Sequence, residues 1–170
     1  ETSFTQDFND DGWTSEPLTN VESIGDISLF KDSSGYGYTK TATGSAIAIT
    51  VNGQQVGDDG SWSMLGAEVV NGTNQLIWGH TDGRFYRYDL DSNWAFTSGT
   101  FISGSELYTA ETSFTQDFND DGWTGEPLTN VESIGDISLF KDSSGYGYTK
   151  TASGSAIAIT RDGQQVGDAG

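Results

Sequence analysis

An all-β chain of tandem antiparallel units is what the sequence predicts, and three observations carry that expectation. Residues 1–60 and 111–170 are nearly the same sequence displaced by 110 positions, differing only at Ser15/Gly125, Thr43/Ser153, Val51/Arg161, Asn52/Asp162 and Asp59/Ala169. The 23 glycines fall at turn-like places, and the segments between them alternate apolar and polar residues with the period of two that turns one face of a strand toward a core. No window combines a 3.6-residue apolar period with helix caps, so little or no helix is expected. Duplication of this kind belongs to proteins that grow by repeating a unit whose apolar face is buried beside its neighbours.

The elements follow in chain order. Asp26–Phe30, Gly35–Lys40 and Ser45–Thr50 read as three strands, joined by turns at Asp32–Gly35 and Ala42–Gly44, and a meander is their simplest pairing. The middle of the chain keeps the rhythm in other letters: Asn74–Trp78, a turn at Thr81–Gly83, Arg84–Tyr88, a turn at Asp91–Asn93, then Trp94–Thr97. Ala67–Val70 precedes the central hairpin as Ala110–Phe114 precedes the last, and each is expected to supply a fourth strand. The 110-residue repeat is thus itself two related halves, and the chain reads as three units in the order A, B, A: 1–60, 61–105 and 106–170. Four short strands in each unit of roughly 50–60 residues suit a propeller blade, a prism unit or a small sandwich, closed in a ring or open-ended.

Composition narrows the partners. With 25 acidic against 7 basic side chains the formal net charge is -18, which opposes nucleic acid and anionic membrane surfaces and favours cations. The absence of cysteine removes disulfides, thiolate metal sites and thiol nucleophiles, leaving oxygen as the metal-ligand chemistry. No stretch approaches the roughly 20 apolar residues of a membrane span, and the visible N-terminus does not read as a signal peptide. An acidic, cysteine-free chain rich in Gly, Ser, Thr and Asn has the composition of bacterial secreted repeat proteins.

The A units carry an insertion that B lacks, Asp7-Phe8-Asn9-Asp10-Asp11-Gly12-Trp13-Thr14-Ser15-Glu16, repeated as Asp117 to Glu126. Carboxylate or amide oxygens at alternate positions before a glycine turn wrap an ion that takes six to eight oxygens, which is calcium. Asp7, Asn9 and Asp11 would be side-chain ligands, Trp13 a carbonyl ligand and Glu16 the closing one. In the second copy the set is Asp117, Asn119, Asp121, Trp123 and Glu126. The twelfth loop position, where a helix-loop-helix site has glutamate, is Leu18, so a compact calcium loop within a β-protein is expected. Ser15 becomes Gly125, so that side chain is no essential ligand. The competing reading is an acidic surface turn with Gly12 at positive φ. Magnesium, which keeps its waters, fits less well, and zinc lacks ligands beside the lone His80.

Catalysis finds little purchase. His80 beside Asp82 or Asp89 lacks a nucleophile signature, and Glu68 with Asp89 or Asp91 is a weak glycosidase pattern. Glu68 and Glu111 hold equivalent places in their units, which points instead to carboxylates that bond a turn backbone. Trp62, Trp78 and Trp94 are spaced by 16 residues, with Phe85, Tyr86 and Tyr88 crowded between them. Rings on a sheet face either stack on sugars, with Trp78, Trp94 and Tyr86 as the candidate ligand-binding residues, or fill the core.

The run from Ser61 to Trp78, with Ala67-Glu68-Val69-Val70-Asn71-Gly72-Thr73-Asn74-Gln75 at its centre, followed by Leu90-Asp91-Ser92-Asn93-Trp94 and Phe114 to Gly122, resembles the tryptophan-rich repeat domain of cyanobacterial and other bacterial calcium-binding, haemolysin-type surface proteins. The resemblance spans about one repeat. It implies an extracellular, cell-surface location, calcium, and a role in attachment or assembly without catalysis. The leading expectation is a calcium-stabilised, non-enzymatic repeat of a bacterial surface adhesin or fibre that contacts neighbouring repeats or identical chains. A glycan-binding module and a filament subunit built through exposed strand edges are the alternatives.

Overall fold

The structure is a computed structural model and describes residues 17–167. It divides into two compact units, Glu1–Asn119 and Asp120–Gly170, and is mostly antiparallel strand with one short helix. Among the described residues no sheet closes on itself, and no helix is long and apolar enough to cross a membrane.

In the first unit, strands β1 (Thr19–Glu22), β2 (Ile27–Lys31), β3 (Gly37–Thr41) and β4 (Ile47–Ala48) form a four-stranded meander in that order. The expected third strand breaks at Ile49, so β5 (Thr50–Val51) pairs instead with β6 (Gln54–Gln55) as a small hairpin. Gly37 stitches these pieces together: its N–H donates to the Val56 carbonyl at 2.8 Å and its carbonyl accepts from the Ile49 N–H at 3.0 Å. A second four-stranded meander follows, made of β7 (Trp62–Val70), β8 (Thr73–His80), β9 (Phe85–Leu90) and β10 (Phe96–Ile102). Its tight β7–β8 turn places Asn71 and Gly72 at φ 51° and 80°, the left-handed pair that a two-residue hairpin demands.

At its β7–β8 side the central sheet is buried on both faces, and one irregularity in the alternating pattern decides which residues face which side. Met64 pairs with Trp78 and Gly66 with Ile77, leaving Leu65 bulged between them. A bulge resets the alternation of faces. Met64 and Ala67 thereby share the front core with Leu76 and Trp78, packed on Ile27, Leu29 and Ile49 of the first meander. Leu65 joins Ile77, Ile102 and Val70 on the back.

The back face is covered by α1 (Ser105–Phe114), where a fourth strand was expected from Ala110–Phe114. This corrects the strand assignment there, and the reason is visible in the residues. Leu107, Ala110, Glu111 and Phe114 are the buried positions, the i, i+3, i+4, i+7 spacing of a helix face. Because Glu111 takes one of those places, the apolar period is concealed. Its fully buried carboxylate accepts from the Phe118 N–H at 3.2 Å, fixing the chain beyond the helix so that Phe118 stacks edge-on to Phe114 at 5.4 Å. Glu68 does comparable work at the front, accepting from the Asp26 N–H at 3.0 Å. Both carboxylates bond backbone, as their equivalent sequence positions suggested.

The second unit repeats the first meander as β11 (Thr129–Glu132), β12 (Ile137–Lys141), β13 (Gly147–Thr151) and β14 (Ile157–Ala158), with β15 (Thr160–Arg161) and β16 (Gln164–Gln165) as the small hairpin. Every pairing keeps its register, Ile137 opposite Thr151 as Ile27 is opposite Thr41.

Two stability predictions follow from the first unit. Met64 is 1% exposed and fills the front core, so Met64→Ala should lower the free energy of unfolding by about 2–5 kcal/mol in denaturant titration. Glu22 is 7% exposed, with one carboxylate oxygen accepting from the Ile24 N–H at 2.6 Å and the other buried without a partner among the described residues. Burial pushes its carboxyl up, and the neighbouring Glu68 carboxylate adds to this against the hydrogen bonds from Ile24 and Ala67. A raised native pKa means that the fold binds the proton more tightly, so this contribution is complete below the ordinary glutamate pKa and is lost as pH rises through the elevated one. Glu22→Gln should therefore stabilise the protein at neutral pH and flatten that stretch of its stability-versus-pH curve.

Candidate functional site

Register builds the site. Met64 pairs with Trp78, Trp78 with Tyr86, and Tyr86 with Phe101, so one row of large side chains crosses all four strands of the central sheet. Exposure rises along it: Met64 is 1% and Trp78 6% exposed, Tyr86 is half-buried and Phe101 is 54% exposed. The gradient arises because the first meander packs on β7 through β1 and β2, covering that end of the front face and leaving the β9–β10 end open. The open end is a hollow of about 370 Å³, floored by Trp62, Trp78, Tyr86, Tyr88, Phe96 and Phe101 and rimmed by Val56, Gly57 and Asp59.

The rings brace one another in edge-to-face contacts. Tyr86 and Phe101 have centroids 4.8 Å apart, Tyr88 and Phe96 4.7 Å, and Tyr86 and Tyr88 5.7 Å, at interplanar angles of 88°, 67° and 88°. Such contacts add about 0.5–1.5 kcal/mol per pair beyond area burial, so the walls are held in place by one another. Gly99 makes room: a Cβ there would stand 2.5 Å from the Tyr86 ring. On the far side the Arg84 guanidinium lies 5.8 Å from the Trp62 centroid and 5.6 Å from that of Phe101.

Polar groups are few and placed at the edge. Asp59 Oδ1 accepts from the Trp62 N–H at 2.8 Å and the Ser61 N–H at 3.0 Å, and those two bonds hold its carboxyl below the usual range. Asp82 is paired with Arg84 at 2.9 Å and lies 2.6 Å from His80 Nδ1. Arg84 foremost, then His80, lowers its carboxyl to about 2. His80 in turn packs against Trp62, centroids 4.7 Å apart. The Trp78 indole N–H is buried and has no hydrogen-bond partner among the described residues. A donor buried without an acceptor costs about 1–3 kcal/mol, and this one belongs to a ring lining the hollow.

The residues singled out in the sequence fall in different places. Trp78 and Tyr86 line the hollow. Trp94 does not: it is 4% exposed, sits in the front core at φ 60°, and its carbonyl accepts from the Thr50 N–H at 3.1 Å. Trp62, Tyr88, Phe96, Phe101 and Asp59 were not chosen as ligand-binding residues, although all but Asp59 and Phe96 stand in register with, or beside, one that was. Glu68, Asp89 and Asp91 are occupied separately, with Asp89 on Gln75 and Arg87 and Asp91 on the Asn93 and Ala95 N–H groups.

Of the two acidic loops, Asp7, Asn9, Asp11, Trp13 and Glu16 lie outside the described residues. In the second copy Asp117 and Asn119 are half-buried members of the first compact unit, while Asp121, Trp123 and Glu126 belong to the second. Asp121 Oδ1 accepts from the Trp123 N–H at 2.9 Å, and Gly122 takes φ 87°. Trp123 lies edge-on to Phe140 at 5.2 Å beneath the Lys150 ammonium, 4.0 Å from its ring centroid. The donor set is all oxygen and suits calcium. Among the described residues, no three acidic or histidine side chains come together as a metal-holding group.

The chain is a mostly β protein whose open antiparallel sheets carry a braced aromatic hollow. More particularly, it belongs to the family described as the tryptophan-rich Synechocystis species C-terminal domain, which matches residues 27–125. That span takes in β2 through β10 and α1, so the matched domain joins the first meander, the central sheet and the helix. No curated protein and no solved structure matches the chain significantly.

Proposed function

We propose that this chain is a non-catalytic repeat segment of an extracellular bacterial surface adhesin and that it attaches through the aromatic hollow, with a glycan as its ligand. The observation that carries this reading is the hollow itself, whose rings brace one another edge-to-face, whose Phe101 ring is 54% exposed and whose rim carries the ionised Asp59. A sugar complements such a patch. Its C–H face stacks on Tyr86 and Phe101, and a hydroxyl donates to Asp59. At about 370 Å³ the hollow is at the small end of ligand sites, the size of one or two sugar rings. An organic cation is a poorer match, because Arg84 already lies near Trp62 and Phe101 and its positive charge repels a second cation.

Binding should appear on a glycan array and be confirmed by calorimetry with the best sugar. Phe101→Ala, at a ring 54% exposed, should weaken it about tenfold, equivalent to about 1.4 kcal/mol, without changing the melting temperature by more than about 2 °C. An array without hits, or a Phe101→Ala variant that binds its sugar undiminished, overturns the reading.

Calcium is the second part of the proposal, supported by the alternating oxygen donors of Asp117, Asn119 and Asp121 and by the left-handed turn at Gly122. The ion would order this acidic loop and offset part of the -18 charge. Saturating calcium should raise the melting temperature and a chelator should reverse the gain. Identical melting curves with and without the ion dispose of this part alone.

A further inference from the structure

The same residues occur in both units, and their surroundings differ. Ile27 is 5% exposed and its counterpart Ile137 55%. Leu29, Thr39 and Ile49 are fully buried, whereas Leu139, Thr149 and Ile159 are half-buried. Val131 and Val166 are 51% and 41% exposed. The backbone is not the cause, because the stitching bonds recur: the Gly147 N–H donates to the Val166 carbonyl at 2.8 Å and the Ile159 N–H to the Gly147 carbonyl at 2.9 Å. What differs is the cover.

In the first unit that cover is β7. A Cβ on Gly37 would stand 2.9 Å from Cε of Met64, so the methionine fills the space above the glycine. At Gly147 the nearest neighbours are Ile159 and the Val166 carbonyl instead. In place of the methionine there is a hollow of about 190 Å³ lined by Val131, Leu139, Gly147, Ile159 and Val166 among others. A second socket lies alongside. The outer face of Gly25 is taken up by the Glu68 carboxylate, while at Gly135, at the left-handed φ of 101°, nothing stands within 4 Å. Two separate places on the second unit thus lack the two side chains, Met64 and Glu68, that fill them in the first.

We infer that the apolar face of the second unit is the docking surface for the β7–β8 hairpin of a further central unit, seated with its Met64 equivalent over Gly147 and its Glu68 equivalent on the Gly135 turn. The occupant is named by the molecule itself, since Trp62–His80 covers the same residues in the first unit. The stable repeat is then meander, central sheet and helix together. The second A sequence then serves two neighbours: Ala110, Phe114 and Phe118 close the back of the central unit before it, and its meander closes the front of the further one.

The test is the full chain extended beyond Gly170 by a second copy of residues 61–119. Hydrogen exchange at Leu139, Thr149 and Ile159 should slow by about a hundredfold or more relative to the unextended chain, reaching the rates of Leu29, Thr39 and Ile49. Gly147→Leu, which fills the socket, should abolish that gain and leave the first unit's rates unchanged. Three results would overturn the inference. One is an appended segment that folds without slowing exchange in the second unit, and another is an appended segment that fails to fold beside this face. The third is an unextended chain whose second unit already exchanges as slowly as the first, or does so through a concentration-dependent dimer in sedimentation.

Discussion

Everything in the first unit turns on one strand that must be buried on both sides. β7 presents Met64 and Ala67 to the first meander and Leu65 and Gly66 to the helix, and the bulge at Leu65 is what puts two successive residues on the helix side and lets Met64 and Ala67, three positions apart, share the other. The fit is close at two glycines. Gly37 receives Met64, and Gly66 lies under Phe118, 3.1 Å from where its Cβ would be. The backbone around Met64 is held as well, since Asp58 accepts from its N–H at 3.0 Å and pairs with Lys31 at 2.6 Å. Interiors pack at crystal-like density, so a strand clamped in this way sets where both neighbouring layers sit.

The aromatic hollow is a by-product of that clamp. A four-stranded sheet covered through its β7 end leaves the β9–β10 end without a partner, and this chain places its aromatics there. Tyr86, Tyr88, Phe96 and Phe101 would be an aggregation liability on a plain surface. Braced edge-to-face and bordered by Asp59 and Arg84, they form a concave patch with a small number of polar groups, which is the composition of a ligand site. The buried Met64 and the exposed Phe101 ring mark the two ends of one cross-strand row, with Trp78 and Tyr86 between them.

The two copies show how far context governs burial. Nearly identical residues give the same registers and the same stitching bonds in both, yet Ile27 is buried and Ile137 half-exposed. Local pairing depends on backbone hydrogen bonding and turn chemistry that each copy carries within itself. Exposure depends on a layer supplied by another part of the sequence.

The sequence by itself determined the local structure. Most of the period-two runs became strands, although Ser45–Thr50 broke at Ile49 and the run expected from Trp94 began only at Phe96; the Gly and Asn turns took the left-handed conformations their residues permit, and Glu68 and Glu111 proved to bond backbone because a carboxylate held among apolar residues needs N–H partners. Trp78 and Tyr86 were legible as rings on one face. The tertiary structure decided the rest. It made Ala110–Phe114 a helix, since the spacing of Leu107, Ala110 and Phe114 gains stability only where a sheet lies beneath it. It put Trp94 in the core and brought Trp62, Tyr88, Phe96 and Phe101 around one hollow, because strand register, which joins residues many positions apart, is set by the bulge and by the layer that covers the sheet. Those are long-range constraints, and no window of the sequence contains both partners.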